Sequence, residues 1–392
     1  MSWGDYLAII LLIGGYGLVW KWFKPQSNQD VFLRLQFFPL LGYHLAVTIY
    51  FHYYMRISGG DAIRYWEITA DGSQYAKSWM HYFGYSTFFI QWLNFIPSKL
   101  LGLSFLSGNL IYGFFSFVAI TLGLVLTRSF FPKSEGNTWQ TILPFMVWWF
   151  PGLHFWTAGV GKESLLLLGL ILTIWSVSLL RARFLVLILG IAILILVRPF
   201  WGILVLLPAA LMAFIKTRKQ LIPTIALVLF SVWACWFGAR WIWERAHLED
   251  FSLAAIQKFS NEQLAFLATF QANSALPMQG MTFWERLLAV SFRPFLWEVW
   301  SVQSLIYAFE NLVFLILILV IPFAIRLRKI QFRWEAVSVL LIILLVWLSF
   351  SMTLDNYGVF YRMKSIWLPP LYIVLLWLIW PLVSGNKSKC PN

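Results

Sequence analysis

Cysteine and acidic residues are what this chain has least of. Two cysteines occur in 392 residues: Cys235 lies in an apolar run and Cys390 in a basic tail, so no disulfide is expected. Asp and Glu together number 16 against 29 Lys and Arg, and charged residues make up 11% of the chain, too few for a soluble globule. The five histidines, His44, His52, His81, His154 and His247, are scattered without metal-ligand spacing, which points to packed or interfacial roles over ligation. No phosphate-binding loop, HExxH or nucleophile elbow occurs, which argues against an ATP-driven pump and the common membrane hydrolases. Internal repeats and low-complexity tracts are absent too.

What the chain has in abundance is hydrocarbon. Hydrophobic residues make up 60% and the mean hydropathy is +0.75. Apolar runs long enough for a bilayer core predict an all-α polytopic membrane protein. About eleven transmembrane helices are read, at roughly 6–23, 33–55, 105–127, 139–159, 164–180, 184–198, 199–215, 221–239, 303–325, 335–353 and 365–383. Lys and Arg set their direction. With the N-terminus outside and the C-terminus cytoplasmic, one face collects Lys21, Lys24, Arg34, Arg128, Lys133, Arg181, Arg183, Lys216, Arg218, Lys219, Arg326, Arg328, Lys329, Arg333, Lys387 and Lys389. Against these stand Asp30, Glu135 and Glu335. The whole net charge of +13 then falls on the cytoplasmic face, so it reports topology and not nucleic-acid binding. Lys21 and Lys24 follow the first span, and no basic stretch precedes it, so that span reads as retained and not as a cleaved signal. The 24 Trp and 15 Tyr mostly flank spans, as interfacial anchors do.

The reading is one membrane domain, 1–392, with two outer loops too long to be turns, 56–104 and 240–302. The first ends in an apolar stretch, 88–103, broken by Pro97 and Lys99, which is expected to lie along the interface. The second holds a mixed helix near 251–272 and another started by Thr282-Phe-Trp-Glu285, the spacing of a capping box.

Chemistry concentrates on the outer face. In Arg56-Ile-Ser-Gly-Gly-Asp61-Ala-Ile-Arg64-Tyr-Trp-Glu67-Ile-Thr-Ala-Asp71-Gly72 a short helix is expected, closed by Gly72. Asp61 is either simply its N-cap or a general base held at a membrane-surface cleft. Glu67 and Asp71, four apart, need cationic partners; Arg64 and Lys77 are the candidates, and a solvated ion-pair face accounts for them. Around Pro151-Gly-Leu-His154-Phe-Trp156-Thr-Ala-Gly159-Val-Gly161-Lys162-Glu163-Ser164 the backbone turns sharply between spans. Lys162-Glu163 is either a self-satisfied pair at a hairpin tip or a cation and carboxylate lining a cavity at the depth of Asp61. Arg198, Arg293, Arg362 and Lys364 complete an outer set of cations. Each alone would serve to snorkel to headgroups; together they suit a phosphate or pyrophosphate. Glu298 and Glu310 share that face, and Glu310, inside a span, needs a partner in the bundle interior.

In the order and placement of these residues, from about 33 to 383, the chain resembles the GT-C superfamily of polytopic glycosyltransferases. Asp61 in Gly-Gly-Asp-Ala-Ile-Arg-Tyr-Trp matches the Asp at the start of that family's first outer loop. Glu163 in Gly-Val-Gly-Lys-Glu matches a second outer acid, and Val197-Arg-Pro-Phe-Trp-Gly is similar to an Arg-Pro turn of bacterial members. The departures are an extra first span, no adjacent acidic pair (Ala62 follows Asp61), and no large soluble domain. The resemblance implies a lipid-linked sugar donor, a polyprenyl phosphate, and a glycan or lipid acceptor in a multi-pass bacterial inner membrane. Asp61 and Glu163 would be catalytic, with Arg64, Lys162, Arg198, Arg293, Arg362 and Lys364 binding substrate. It leaves a requirement for a divalent cation, magnesium or manganese, open. Two other readings compete: an O-antigen-polymerase or EpsG-like polysaccharide polymerase, and a non-enzymatic transporter of lipid-linked glycans, which would need midplane polar residues and paired broken helices.

Overall fold

The computed structural model describes residues 2–27, 30–69, 78–131, 138–177, 180–216, isolated positions between 225 and 240, 252–268, 276, 278–327, 329–330, 334–354 and 356–384. Among these the architecture is all helical, with no strand. Four helices are long and apolar enough to cross a membrane: Trp3–Gln26, Val31–Ser58, Phe105–Phe130 and Val302–Arg326. They coincide with the expected spans at 6–23, 33–55, 105–127 and 303–325. The chain divides into two compact units, Met1–Gly202 and Ile203–Asn392.

In the first unit α1 (Trp3–Gln26) opens on a capping box between Ser2 and Asp5, which satisfies backbone donors the first turn leaves orphaned. α2 (Val31–Ser58) is capped by Asp30, whose carboxylate also pairs with Arg128 near the end of α5 (Phe105–Phe130). Asp5 meanwhile reaches the start of α5, accepting from Ser104 N at 2.8 Å and Ser107 Oγ at 2.6 Å. α1 and α5 therefore run parallel, with α2 antiparallel to both. Between α2 and α5 lie α3 (Asp61–Glu67) and α4 (Thr87–Asn94), the latter running into a single π-helical turn at Phe95–Leu100. That turn contains Pro97, the residue that suggested a break.

The expected span at 139–159 is not one helix. Pro144 and Pro151 lack the amide a continuing helix needs, and the segment splits into α6 (Thr138–Ile142), a 3-10 stretch (Leu143–Trp149) and α7 (Pro151–Thr157). Side chains pin it: Trp148 Nε1 donates to Thr127 Oγ1 at 2.8 Å, and His154 lies 2.8 Å, Nδ1 to Nδ1, from His44 of α2. α8 (Lys162–Val177), α9 (Leu180–Val197) and the start of α10 (Pro199–Lys216) follow. α8 is buried from Lys162 to Thr173, as a helix apolar on all sides must be.

In the second unit α11 (Leu253–Ala268) falls where the mixed helix was expected. α12 (Phe283–Phe292) starts on the predicted Thr282–Glu285 capping box. α13 (Val302–Arg326), α14 (Trp334–Thr353) and α15 (Tyr357–Leu378) follow, and α15 is buried from Met363 to Trp377. Most of the expected span at 221–239, together with Asp71, Gly72, Lys77 and Asp355, lies outside the described residues.

Candidate active site

The corner before α3 is made by glycine. Gly59 (φ 71°) and Gly60 (φ 140°) occupy backbone regions that side-chain-bearing residues avoid. Asp61 is not the N-cap expected from sequence: Gly60 holds that position without a side-chain cap, and Asp61 is the first helical residue. Nor does Gly72 close the helix, which ends at Ile68 in a left-handed conformation (φ 60°). Asp61, Arg64 and Glu67 lie on the exposed side, while Ala62, Tyr65 and Trp66 are buried. The split follows the helical period, in which residues three and four apart share a face.

That buried face is fixed by polar contacts from the next elements. Asn94 Nδ2 donates to Tyr65 O at 3.1 Å, Ser98 Oγ to Trp66 O at 2.7 Å, and Trp66 Nε1 to Leu103 O at 3.2 Å. Tyr112 of α5 in turn donates to Asn94 Oδ1 at 2.9 Å. The carbonyls at the end of a seven-residue helix thus find donors, and Asp61 is presented from a rigid mount.

Lys162 and Glu163 do not sit on a solvated tip. They are 8% and 3% exposed, and the start of α4 lies against Lys162. Lys162 Nζ donates to Ser86 Oγ and Thr87 Oγ1, each at 3.0 Å, and lies 5.5 Å from the ring centre of Tyr65 on the Asp61 helix. A buried ammonium needs such acceptors and a ring face, since desolvation without them costs several kcal/mol. The backbone of Ser86 donates to Leu196 O at 2.8 Å, which brings in the end of α9. Two residues on, Arg198 lies 5.1 Å from the Trp201 ring centre. Lys162, Glu163, the end of α9 with Arg198, and the helix carrying Asp61 and Arg64 are thus gathered around Ser86–Thr87 within the first unit.

The remaining predicted residues belong to the second unit. Arg293 forms an ion pair with Glu298. Burial alone would raise the Glu298 carboxyl, but Arg293 and the Phe295 amide hold it below its usual range; Arg293 is correspondingly raised by Glu298. Lys364 is 2% exposed and donates to Ser291 O at 2.6 Å and Asn311 Oδ1 at 2.7 Å. Glu310, 6% exposed, is electrostatically coupled to it. Arg362, two residues before Lys364, is half-buried. Lys364 therefore acts within the protein as the tie between α15, α13 and the end of α12.

Sequence reasoning passed over Ser86, Thr87, Tyr65 and Asn94. The signal available for them was slight: they carry no charge of their own, and the charged residues of the same loop drew notice instead. Among the described residues no three His, Cys, Asp or Glu side chains gather as a metal cage.

The described residues define an all-helical protein in which four helices are long and apolar enough to cross a membrane and a buried cation is held by Ser86 and Thr87. No family model, curated protein or solved structure matches the chain.

Proposed function

We propose that this chain is a multi-pass membrane glycosyltransferase of GT-C-like design. It transfers a sugar from a polyprenyl-phosphate-linked donor to a glycan or lipid hydroxyl on the outer face of a bacterial inner membrane. The proposal includes about eleven crossings with the N-terminus outside. The observation that carries it is the buried Lys162 ammonium, held by two hydroxyls directly against the helix that presents Asp61.

The chemistry follows from these groups. The acceptor oxygen attacks the anomeric carbon as Asp61 takes its proton, and the bond from that carbon to the phosphate oxygen breaks with inversion. The departing polyprenyl phosphate gains charge, which Lys162 and Arg198 oppose in a site poor in water. Glu163 supplies a second carboxylate to orient the acceptor hydroxyl. No step is routed through a metal. The polymerase reading leans on Arg293, Arg362 and Lys364, and it is less favoured because carboxylates already answer two of these charges, Glu298 that of Arg293 and Glu310 that of Lys364.

The test is sugar transfer from labelled polyprenyl-phosphate sugars in proteoliposomes, comparing wild type with Asp61→Asn and Glu163→Gln. Loss of at least about a hundredfold in turnover for Asp61→Asn is expected for a general base. Wild-type turnover in a folded Asp61→Asn protein would end the assignment, and glycan movement without a new glycosidic bond would favour transport.

A further inference from the structure

We infer that Asn109 is a positioning residue for the Lys162–Glu163 turn, and that it holds the turn only while His52 is neutral. The inference rests on the role proposed above for Lys162 and Glu163.

The direction of the hydrogen bonds decides it. The backbone N–H of Val160 can only donate, and it points at Asn109 Oδ1 at 2.9 Å. The other end of the amide, Nδ2, is therefore the donor to His52 Nδ1 at 3.3 Å. His52 must keep a lone pair on Nδ1 and carry its proton on Nε2. A second proton would set N–H against N–H. Turning the Asn109 amide over does not help, because its NH2 would then face the Val160 N–H.

Asn109, His52 and Val160 are 0%, 6% and 2% exposed, so the loss falls on buried polar groups. Gly159 keeps the packing close: a Cβ there would lie 2.3 Å from the Phe51 ring and 2.5 Å from Asn109 Oδ1. Ser164 Oγ closes the other side of the turn on Thr157 O and Gly159 O. Among the described residues the groups against His52 are Tyr53 and Arg56 on its own helix and Asn109 and Phe105 on α5. Arg56 is the charged member of this set, and none of the set is acidic. A hydrogen bond from a charged donor is the stronger one, so a protonated His52 draws Asn109 Oδ1 to itself, and the Val160 bond, two residues from Lys162, is the contact given up.

Hydrogen exchange of the full-length protein in detergent, read on peptides covering 157–164 and corrected for intrinsic rate, tests this. Burial and Arg56 both oppose a charge on His52, so in wild type protection is expected to hold from pH 8 to about pH 6 and to fall about tenfold by about pH 4. His52→Gln, which accepts from Asn109 but does not titrate, should stay protected throughout. Asn109→Leu should lose protection at every pH. Should Asn109→Leu fail to fold, Asn109→Asp still decides: it keeps the acceptor for Val160 and welcomes a charged His52, so its protection should not depend on pH. A flat wild-type profile, the same profile in His52→Gln, or full protection in Asn109→Leu would overturn the inference. The exchange pattern without any sugar transfer would sink the proposed function and leave Asn109 in place. Transfer that depends on Asp61 without the pattern would do the reverse.

Discussion

Replacing Gly108 by alanine tests how the Asp61 helix is mounted. Gly108 lies on α5 directly beneath Trp66 of α3, and a Cβ there would sit 2.7 Å from two atoms of the indole and 2.9 Å from a third. Trp66 is 4% exposed and cannot retreat without giving up its bond to Leu103 O. Overpacking of this kind costs about 1–3 kcal/mol, and the lost hydrogen bond about 0.5–1.5 kcal/mol. Alanine returns about 1 kcal/mol of helix propensity. The net is about 2 kcal/mol, felt at α3, which corresponds to a rise of about thirtyfold in exchange of its amides. Gly42 on α2 is the control, since a Cβ there meets nothing within 4 Å; Gly42→Ala should be neutral or mildly stabilising. Hydrogen exchange on peptides covering 61–69 reads both variants, with transfer activity expected to fall only in Gly108→Ala. Equal exchange in the two would mean that α3 is not seated on Gly108, and the mounting argued for Asp61 would be wrong.

Asp5, 1% exposed, accepts from Ser104 N, Ser107 Oγ, Ser2 N and Ser2 Oγ. Asp5→Ala should therefore cost about 2–3 kcal/mol, seen as a lowered melting temperature in detergent, with a smaller loss for Asp5→Asn; a melting temperature at or above wild type would contradict the docking of α1 on α5. Glu298 is held below its usual range in the folded state, so its contribution is fully present above the ordinary carboxylate value of about 4.3 and is lost as pH falls through the depressed folded value. Melting temperatures of wild type and Glu298→Gln should thus differ at neutral pH and converge on strong acidification, and a gap that persists in acid would refute the pairing with Arg293.

Local rules made part of the fold legible. Apolar runs marked the four long helices, because a helix exposed to hydrocarbon must be apolar over its length. Thr282 and Glu285 marked the start of α12, because a capping box depends on residues three apart and nothing farther. The cap reading of Asp61, one of the two the sequence offered, failed for a related reason: two flexible glycines precede it, and where the chain turns within them is not a property of its neighbours. The broken segment at 139–159 carried its signal in Pro144 and Pro151, but apolar composition outweighed it.

The sequence by itself determined that this protein is helical, lipid-compatible and sparing with acids, since composition and period act residue by residue. It also singled out Asp61 and the Lys162–Glu163 turn, because charge is conspicuous in an apolar chain. Tertiary structure alone decided which of those charges are buried and what they meet. Lys162 became a buried cation with Ser86 and Thr87 at the start of α4 against it, and Asn109 and His52 came to govern its turn from helices far away in the chain. Hydrogen bonds act over about 3 Å in space, a distance that sequence separation does not encode.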